Sequence, residues 1–207
     1  MIKNNIKNLS VDYSNSLEEI YLNINKAINQ IQNNNTNIEC ISGCNRCCKF
    51  YGSPQIYKME WENIKKYIKN NFTEDDIKIL KLKLKELKKY FRDLLVKNEN
   101  VYLDDYQLVK EVIDFIECPL LFNGKCSIYE VRPLICRLFG YTYTNKKTKK
   151  TNILTCQEQV YKLSSLKDEL ELINIEQINQ NIFEILSEDD VDFNTIYYYL
   201  TNMLEND

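Results

Sequence analysis

The sequence predicts a mainly α, irregular helical domain of about six to seven helices with one small β-hairpin. Three observations lead there. The 207 residues include only 4 Gly and 3 Pro, too few for an all-β sandwich or barrel, which needs a turn about every 8–12 residues. Apolar residues recur at helical spacing along most of the chain. Every Gly and Pro falls within 43–54 or 119–140, beside the two groups of cysteines. Irregular backbone is thereby confined to those two stretches, and the remainder reads as helix.

The elements follow in order. Ser16-x-x-Glu19 is a capping-box pattern opening a helix over 16–33, with Leu17, Ile20, Ile24, Ile28 and Ile31 on one face. After Pro54, Tyr57, Trp61, Ile64 and Ile68 mark a second helix. Thr73 and Asp76 cap a longer third one, striped by Ile77, Leu80, Leu84, Leu87, Phe91 and Leu94. Val109, Val112 and Ile116 predict a short helix running into Cys118. Residues 138–155, with Phe139, Tyr141, Tyr143 and Ile153-Leu154, predict the hairpin. Three more helices are marked by Leu163-Leu166-Leu170, Ile178-Ile182-Ile185 and Ile196-Leu200-Met203. These stripes are core faces, and the lysines of 78–89 line a solvated side.

Composition excludes several functions. There is no His, so Ser-His-Asp and Cys-His triads, His-ligated zinc and His-ligated haem are impossible. A formal charge of −3 gives no global attraction to nucleic acid or anionic lipid. The first dozen residues lack the apolar run of a signal peptide, and no 18 apolar residues run together. The expected compartment is the cytoplasm, where thiols stay reduced, with no membrane or nucleic-acid partner and the protein partner or substrate unknown.

The 8 Cys then read as metal ligands or redox groups before disulfides. Cys40, Cys44, Cys47 and Cys48 form C-x3-C-x2-C-C; Cys118, Cys126, Cys136 and Cys156 follow. Thiols two or three residues apart can converge on one ion at a tight turn. Adjacent Cys47 and Cys48 are expected to diverge, so that one serves another iron, a second site or no metal. Without imidazole the donors are sulfur, which selects zinc, copper(I) or an iron–sulfur cluster. A four-thiolate zinc staple is the simplest reading. Three cysteines packed close together with a remote Cys-Pro look more like an iron–sulfur cradle, because no second C-x2-C knuckle exists. Arg46, Arg132 and Arg137 could offset the charge of bound thiolates, or pair with carboxylates such as Glu117 and Glu130.

Three further readings compete. Cys40-x3-Cys44-x2-Cys47 has the spacing of radical enzymes that use S-adenosylmethionine. Those place an aromatic where Arg46 stands and carry a strand–helix alternation absent here. Cys126-x9-Cys136 has helical-hairpin disulfide spacing but lacks the second pair it needs. Inert buried thiols are the third reading, and their clustering with all the Gly and Pro weighs against it.

Cys40-x3-Cys44-x2-Cys47-Cys48, with Cys118-Pro119-Leu120-Leu121 and the run from Gly124-Lys125-Cys126-Ser127-Ile128-Tyr129 through Arg132-Pro133 to Cys136-Arg137, resembles the cysteine-cluster family of the YkgJ type. Proteins of that family are described as chelators of zinc or iron. The likeness covers residues 40–156, with Cys156 standing where the family has a trailing cysteine. It implies that all eight cysteines are candidate metal ligands, holding zinc or an iron–sulfur cluster. A more distant similarity to flagellin lysine methylases implies S-adenosylmethionine as a further cofactor and a methyltransferase-like alternative. Family clusters often have Gly after the second cysteine. Here it is Asn45, which also tolerates the left-handed conformation.

The expected organisation is one domain over 1–207, with a cysteine-cluster metal-binding core at 40–156 and a C-terminal helical extension at 157–207. No carboxylate pair stands out as acid and base, so catalytic residues stay unknown. The competing expectations are a metal-binding protein, an enzyme that uses the cluster, and an adaptor or metal carrier with structural zinc.

Overall fold

The computed structural model describes residues 6–9, 16–34, 43–97, 117–145, 151–156, 159–160, 170–185 and 192–205. Along the chain run β1 (Ile6–Asn8), α1 (Leu17–Asn34), α2 (Arg46–Phe50), β2 (Gln55–Tyr57), α3 (Lys58–Asn71), α4 (Glu74–Lys97), β3 (Leu121–Phe122) and β4 (Lys125–Cys126). A 3-10 turn at Tyr129–Val131 precedes α5 (Leu134–Leu138), β5 (Thr142–Asn145), β6 (Thr151–Leu154), β7 (Leu170–Asn174), α6 (Ile175–Ile185), β8 (Phe193–Thr195) and α7 (Ile196–Glu205). The architecture is mainly α with small sheets. No described helix is long and apolar enough to cross a membrane. The chain divides into two compact units, Met1–Ser42 with Pro133–Val191 and Gly43–Arg132 with Asp192–Asp207.

In the first unit, α1 begins where the capping pattern places it, with Ser16 Oγ accepting the Glu19 N–H at 3.3 Å. Its stripe of Leu17, Ile20, Ile24, Ala27, Ile28 and Ile31 is buried, against α5 and β7. Each Ile sealed in this way contributes about 1.5–3 kcal/mol. The expected hairpin is present as antiparallel β5 and β6, with Thr142 opposite Leu154. It does not stand alone. β7 pairs parallel to β5 and β1 parallel to β7, giving the order β1-β7-β5-β6. Leu170 therefore opens a strand instead of closing a helix. Over this short run a helical and an extended reading fit the apolar pattern equally, and pairing with two neighbouring strands decides it. Residues 161–169 and the expected helix at 109–116 lie outside the described residues.

In the second unit, α3 carries Trp61, Ile64 and Ile68, and α4 starts directly after Thr73. Thr73 and Asp76 cap α4 reciprocally, the Thr73 N–H reaching Asp76 Oδ2 at 2.9 Å and the Asp76 N–H reaching Thr73 Oγ1 at 3.2 Å. The core gathers Ile56, Trp61, Ile64, Ile68, Leu80, Leu84, Leu120, Ile128, Ile196 and Leu200. The Trp61 and Tyr199 rings stack with centroids 5.3 Å apart. β8 pairs antiparallel with β2, and Ile196 N–H bonds the Pro54 carbonyl at 3.0 Å. Residues 192–205 are thus built into the unit that carries Cys44, Cys47 and Cys48.

Candidate metal centre

α2 delivers the first two sulfurs. Gly43, at φ +91°, turns the chain in a conformation that glycine adopts at no cost. The chain then enters α2 through Asn45, at φ −120°. The left-handed position is therefore filled by Gly43, and Asn45 is not left-handed. Its side chain acts instead: Nδ2 donates to the Gly124 carbonyl at 2.9 Å. Cys47 and Cys48 follow, and their Sγ atoms stand 3.9 Å apart. The expected divergence does not occur. Neighbouring helical residues point about 100° apart, yet these two sulfurs stand within contact of each other.

A second element brings two more. The Cys118 N–H donates to the Cys48 carbonyl at 2.7 Å, and the Leu121 N–H to the Cys118 carbonyl at 3.0 Å. β3 then turns into β4 and sets Cys126 opposite Leu121. The turn is Asn123-Gly124, both at positive φ (+49° and +73°), the two-residue loop whose twist matches a tight hairpin. Lys83 Nζ anchors the hairpin from α4, donating to the Leu121 carbonyl and to Glu117 at 2.7 Å.

These thiols feel one another. The Cys48 thiol, as a hydrogen-bond partner, lowers Cys47 from the usual thiol range to about 7 against an opposing burial effect, with Arg132 helping. Burial pushes Cys118 up to about 12, and the Cys126 and Cys47 thiols push the same way. Burial also raises Cys126, which Arg132 partly offsets. Of the three arginines considered from sequence, Arg132 is thus the one whose charge reaches the sulfurs of this unit. Its guanidinium lies 4.1 Å from the Tyr129 ring centroid. Arg137 is buried in the first unit, over the Tyr21 ring at 4.3 Å and bonded to Asn25 Oδ1 at 3.2 Å. Arg46 is exposed on α2, and Glu117 takes Lys83 as its partner.

The remaining cysteines are placed differently. Cys44 is exposed at the entry to α2. Cys136, on α5, and Cys156, just past β6, belong to the first unit and are partly exposed. Cys40 lies outside the described residues. The described cysteines are all free thiols. Among the described residues, no three Cys, Asp or Glu side chains converge closely enough to hold an ion as they stand.

The donor set nevertheless fits a soft metal. Four sulfurs occupy one neighbourhood in the second unit, two of them already at the separation expected across a tetrahedral site, which is about 3.8 Å for sulfurs about 2.3 Å from zinc. Cys47, Cys48, Cys118 and Cys126 are the residues that could hold it. Sequence reasoning missed Asn45 as the tie between the two cysteine segments. The Asn-Gly pair at 123–124 was the available signal for the hairpin it holds.

A family model named CxxCxxCC, with the description "Putative zinc- or iron-chelating domain", matches residues 39–157, over half the chain. The name has two residues between its first two cysteines, where this chain has Ile41-Ser42-Gly43. No curated protein and no solved structure gave a match.

Proposed function

The chain belongs to the CxxCxxCC family of zinc- or iron-chelating domains, and from that membership we propose that it is a cytoplasmic metal-binding protein holding one zinc or iron ion on Cys47, Cys48, Cys118 and Cys126. The observation that carries this reading is the 3.9 Å separation of the Cys47 and Cys48 sulfurs. Sulfurs that share one tetrahedral ion sit at such a distance. Thiolates of a four-iron cluster each bind a different iron and radiate apart, which suits adjacent, converging sulfurs less well. The free thiols of the described cysteines suit a reducing compartment.

A bound ion would supply a cross-link between α2 and the β3–β4 hairpin, so metal affinity and folding are coupled. The chain's own groups prepare that link. The Cys118 N–H holds its residue to the Cys48 carbonyl, Asn45 holds the hairpin turn, and Arg132 offsets negative charge on the sulfurs.

The test is elemental analysis of protein purified without oxygen, with assay of acid-labile sulfide. The expected result is zinc or iron without sulfide, and Cys118→Ser should lower metal content and melting temperature together. Iron with equimolar sulfide would replace the single ion by a cluster. Full metal content in both Cys47→Ser and Cys118→Ser would refute this ligand set.

A further inference from the structure

We propose that Lys83 is the positioning residue of the metal centre, one ammonium that brackets Cys118 and offsets the charge of the bound thiolates. The proposal rests on the reading that Cys47, Cys48, Cys118 and Cys126 hold the ion. The lysines at 78, 81, 85, 88 and 89 are exposed on α4. Lys83 differs. It stands three residues after the buried Leu80 and next to the buried Leu84, so its stem leaves the helix on the side that faces the core. Its side chain is 27% exposed. The charge pattern placed it among solvated lysines, and the structure turns it inward to the β3–β4 hairpin.

Two contacts place the ammonium on either side of Cys118 in the chain. Nζ donates to Glu117 Oε1 at 2.7 Å, on the residue directly before the cysteine. It also donates to the Leu121 carbonyl. Leu121 is itself tied to both sulfur-bearing positions: its N–H bonds the Cys118 carbonyl at 3.0 Å, and it pairs with Cys126 across the hairpin. The Phe122 ring centroid lies 5.8 Å from the same nitrogen. An ammonium carries three donors, so one side chain can fix the backbone before and after the cysteine. Its charge acts at the same place. Burial dominates Cys118 and disfavours its thiolate, and the Lys83 cation works against that. Four thiolates around one divalent ion leave excess negative charge, which a nearby ammonium offsets. Glu117 is 47% exposed, and an ion pair so placed contributes little by itself. The weight therefore falls on the Leu121 tie and on the charge, not on the pairing with Glu117.

The experiment uses the full chain, purified without oxygen, with zinc and cobalt(II) as probes. Zinc affinity is read by competition with a coloured chelator, and sulfur coordination from the thiolate-to-cobalt absorption at saturation. Lys83→Met keeps the stem and removes the charge and the donors. Its zinc affinity should fall about 10–100-fold, and its cobalt absorption should drop because Cys118 or Cys126 leaves the ion. Glu117→Gln removes the ion pair but leaves an amide oxygen for Lys83, whose charge is then no longer neutralised. Its affinity should equal or exceed that of the wild type. Lys85→Met, exposed on the same helix, loses the same net charge and should bind zinc as the wild type does. An ion pair that only held the fold together would weaken Lys83→Met and Glu117→Gln alike and leave the absorption per bound cobalt unchanged. Wild-type affinity and absorption in Lys83→Met would overturn the proposal and leave the four-cysteine centre in place. So would a loss of about tenfold or more in Glu117→Gln, an arm that decides the matter even if Lys83→Met does not fold. A wild type that takes up neither metal overturns the four-cysteine reading and this proposal with it.

Discussion

Gly124→Ala offers the sharpest test of how the two cysteine segments are joined in the second unit. The residue sits at φ +73°, and a non-glycine there costs about 1–2 kcal/mol. A Cβ at this position would lie 3.2 Å from Asn45 Nδ2, the atom that donates to the Gly124 carbonyl. The amide has to give way, and losing that hydrogen bond adds about 1 kcal/mol. The total is about 2–3 kcal/mol, which for a chain of this size lowers the melting temperature by roughly 4–12 °C. Gly43→Ala is the control. Gly43 has φ +91° with nothing within 4 Å of its added Cβ, so it should carry the conformational cost alone, about 1–2 kcal/mol.

The assay is urea denaturation of both glycine variants, of Asn45→Ala and of Gly124→Ala/Asn45→Ala. The cycle should be non-additive by about 1 kcal/mol, because the double variant loses the Asn45 bond only once. Gly124→Ala should also weaken zinc binding more than Gly43→Ala does, since its turn carries Cys126. Equal destabilisation by the two glycine variants together with an additive cycle would refute the claim that Asn45 ties α2 to the hairpin.

Two other predictions concern protons. In metal-free protein, Cys48→Ala should raise the Cys47 pKa from about 7 toward the ordinary thiol range, moving the midpoint of iodoacetamide labelling to higher pH; an unmoved midpoint would contradict the thiol contact as the main cause. Tyr199, whose hydroxyl donates to the Asp192 carbonyl at 3.2 Å, is pushed up to about 12 chiefly by burial. Its neutral form therefore stabilises the fold below its ordinary pKa, and that stability is lost as pH rises from about 10 through about 12. Denaturation between pH 9 and 12 should show a shallower decline in Tyr199→Phe than in the wild type, and identical slopes would contradict the assignment.

The helices were legible because their signals are local. Ser16 and Glu19, and Thr73 and Asp76, announce starts that the structure realises, and stripes such as Ile20, Ile24 and Ile31 need only the helical period to be seen. The strand at Leu170–Asn174 was not, because its identity depends on β1 and β5, far away in sequence. The clustering of Gly and Pro located the irregular segments, and all four glycines do adopt positive φ. The ligand neighbourhood itself was only half visible. Spacing says that Cys47 and Cys48 are adjacent, but not which way two rotatable sulfurs turn. Asn45 looked like a conformational substitute for glycine, and its amide turned out to matter through a contact 79 residues away.

The electrostatics of the four sulfurs explain how such a site can exist before metal arrives. Four neighbouring thiolates without a cation would repel one another and lose part of their hydration. The second unit avoids this by burying Cys118, whose pKa near 12 keeps its proton at neutral pH, and by raising Cys126 the same way. In both, a folded-state pKa above the ordinary thiol value favours the neutral form, and that contribution is lost only as pH climbs through the raised value. Cys47 is the opposite case, held near 7 by the Cys48 thiol and the Arg132 charge. An incoming ion therefore finds one sulfur already partly ionised and must expel protons from the other three. The affinity of the centre must in consequence rise with pH across the neutral range. The same burial that makes Cys118 reluctant to ionise shields its bond to the metal from water once formed, so the step that is hardest to complete is also the one hardest to reverse.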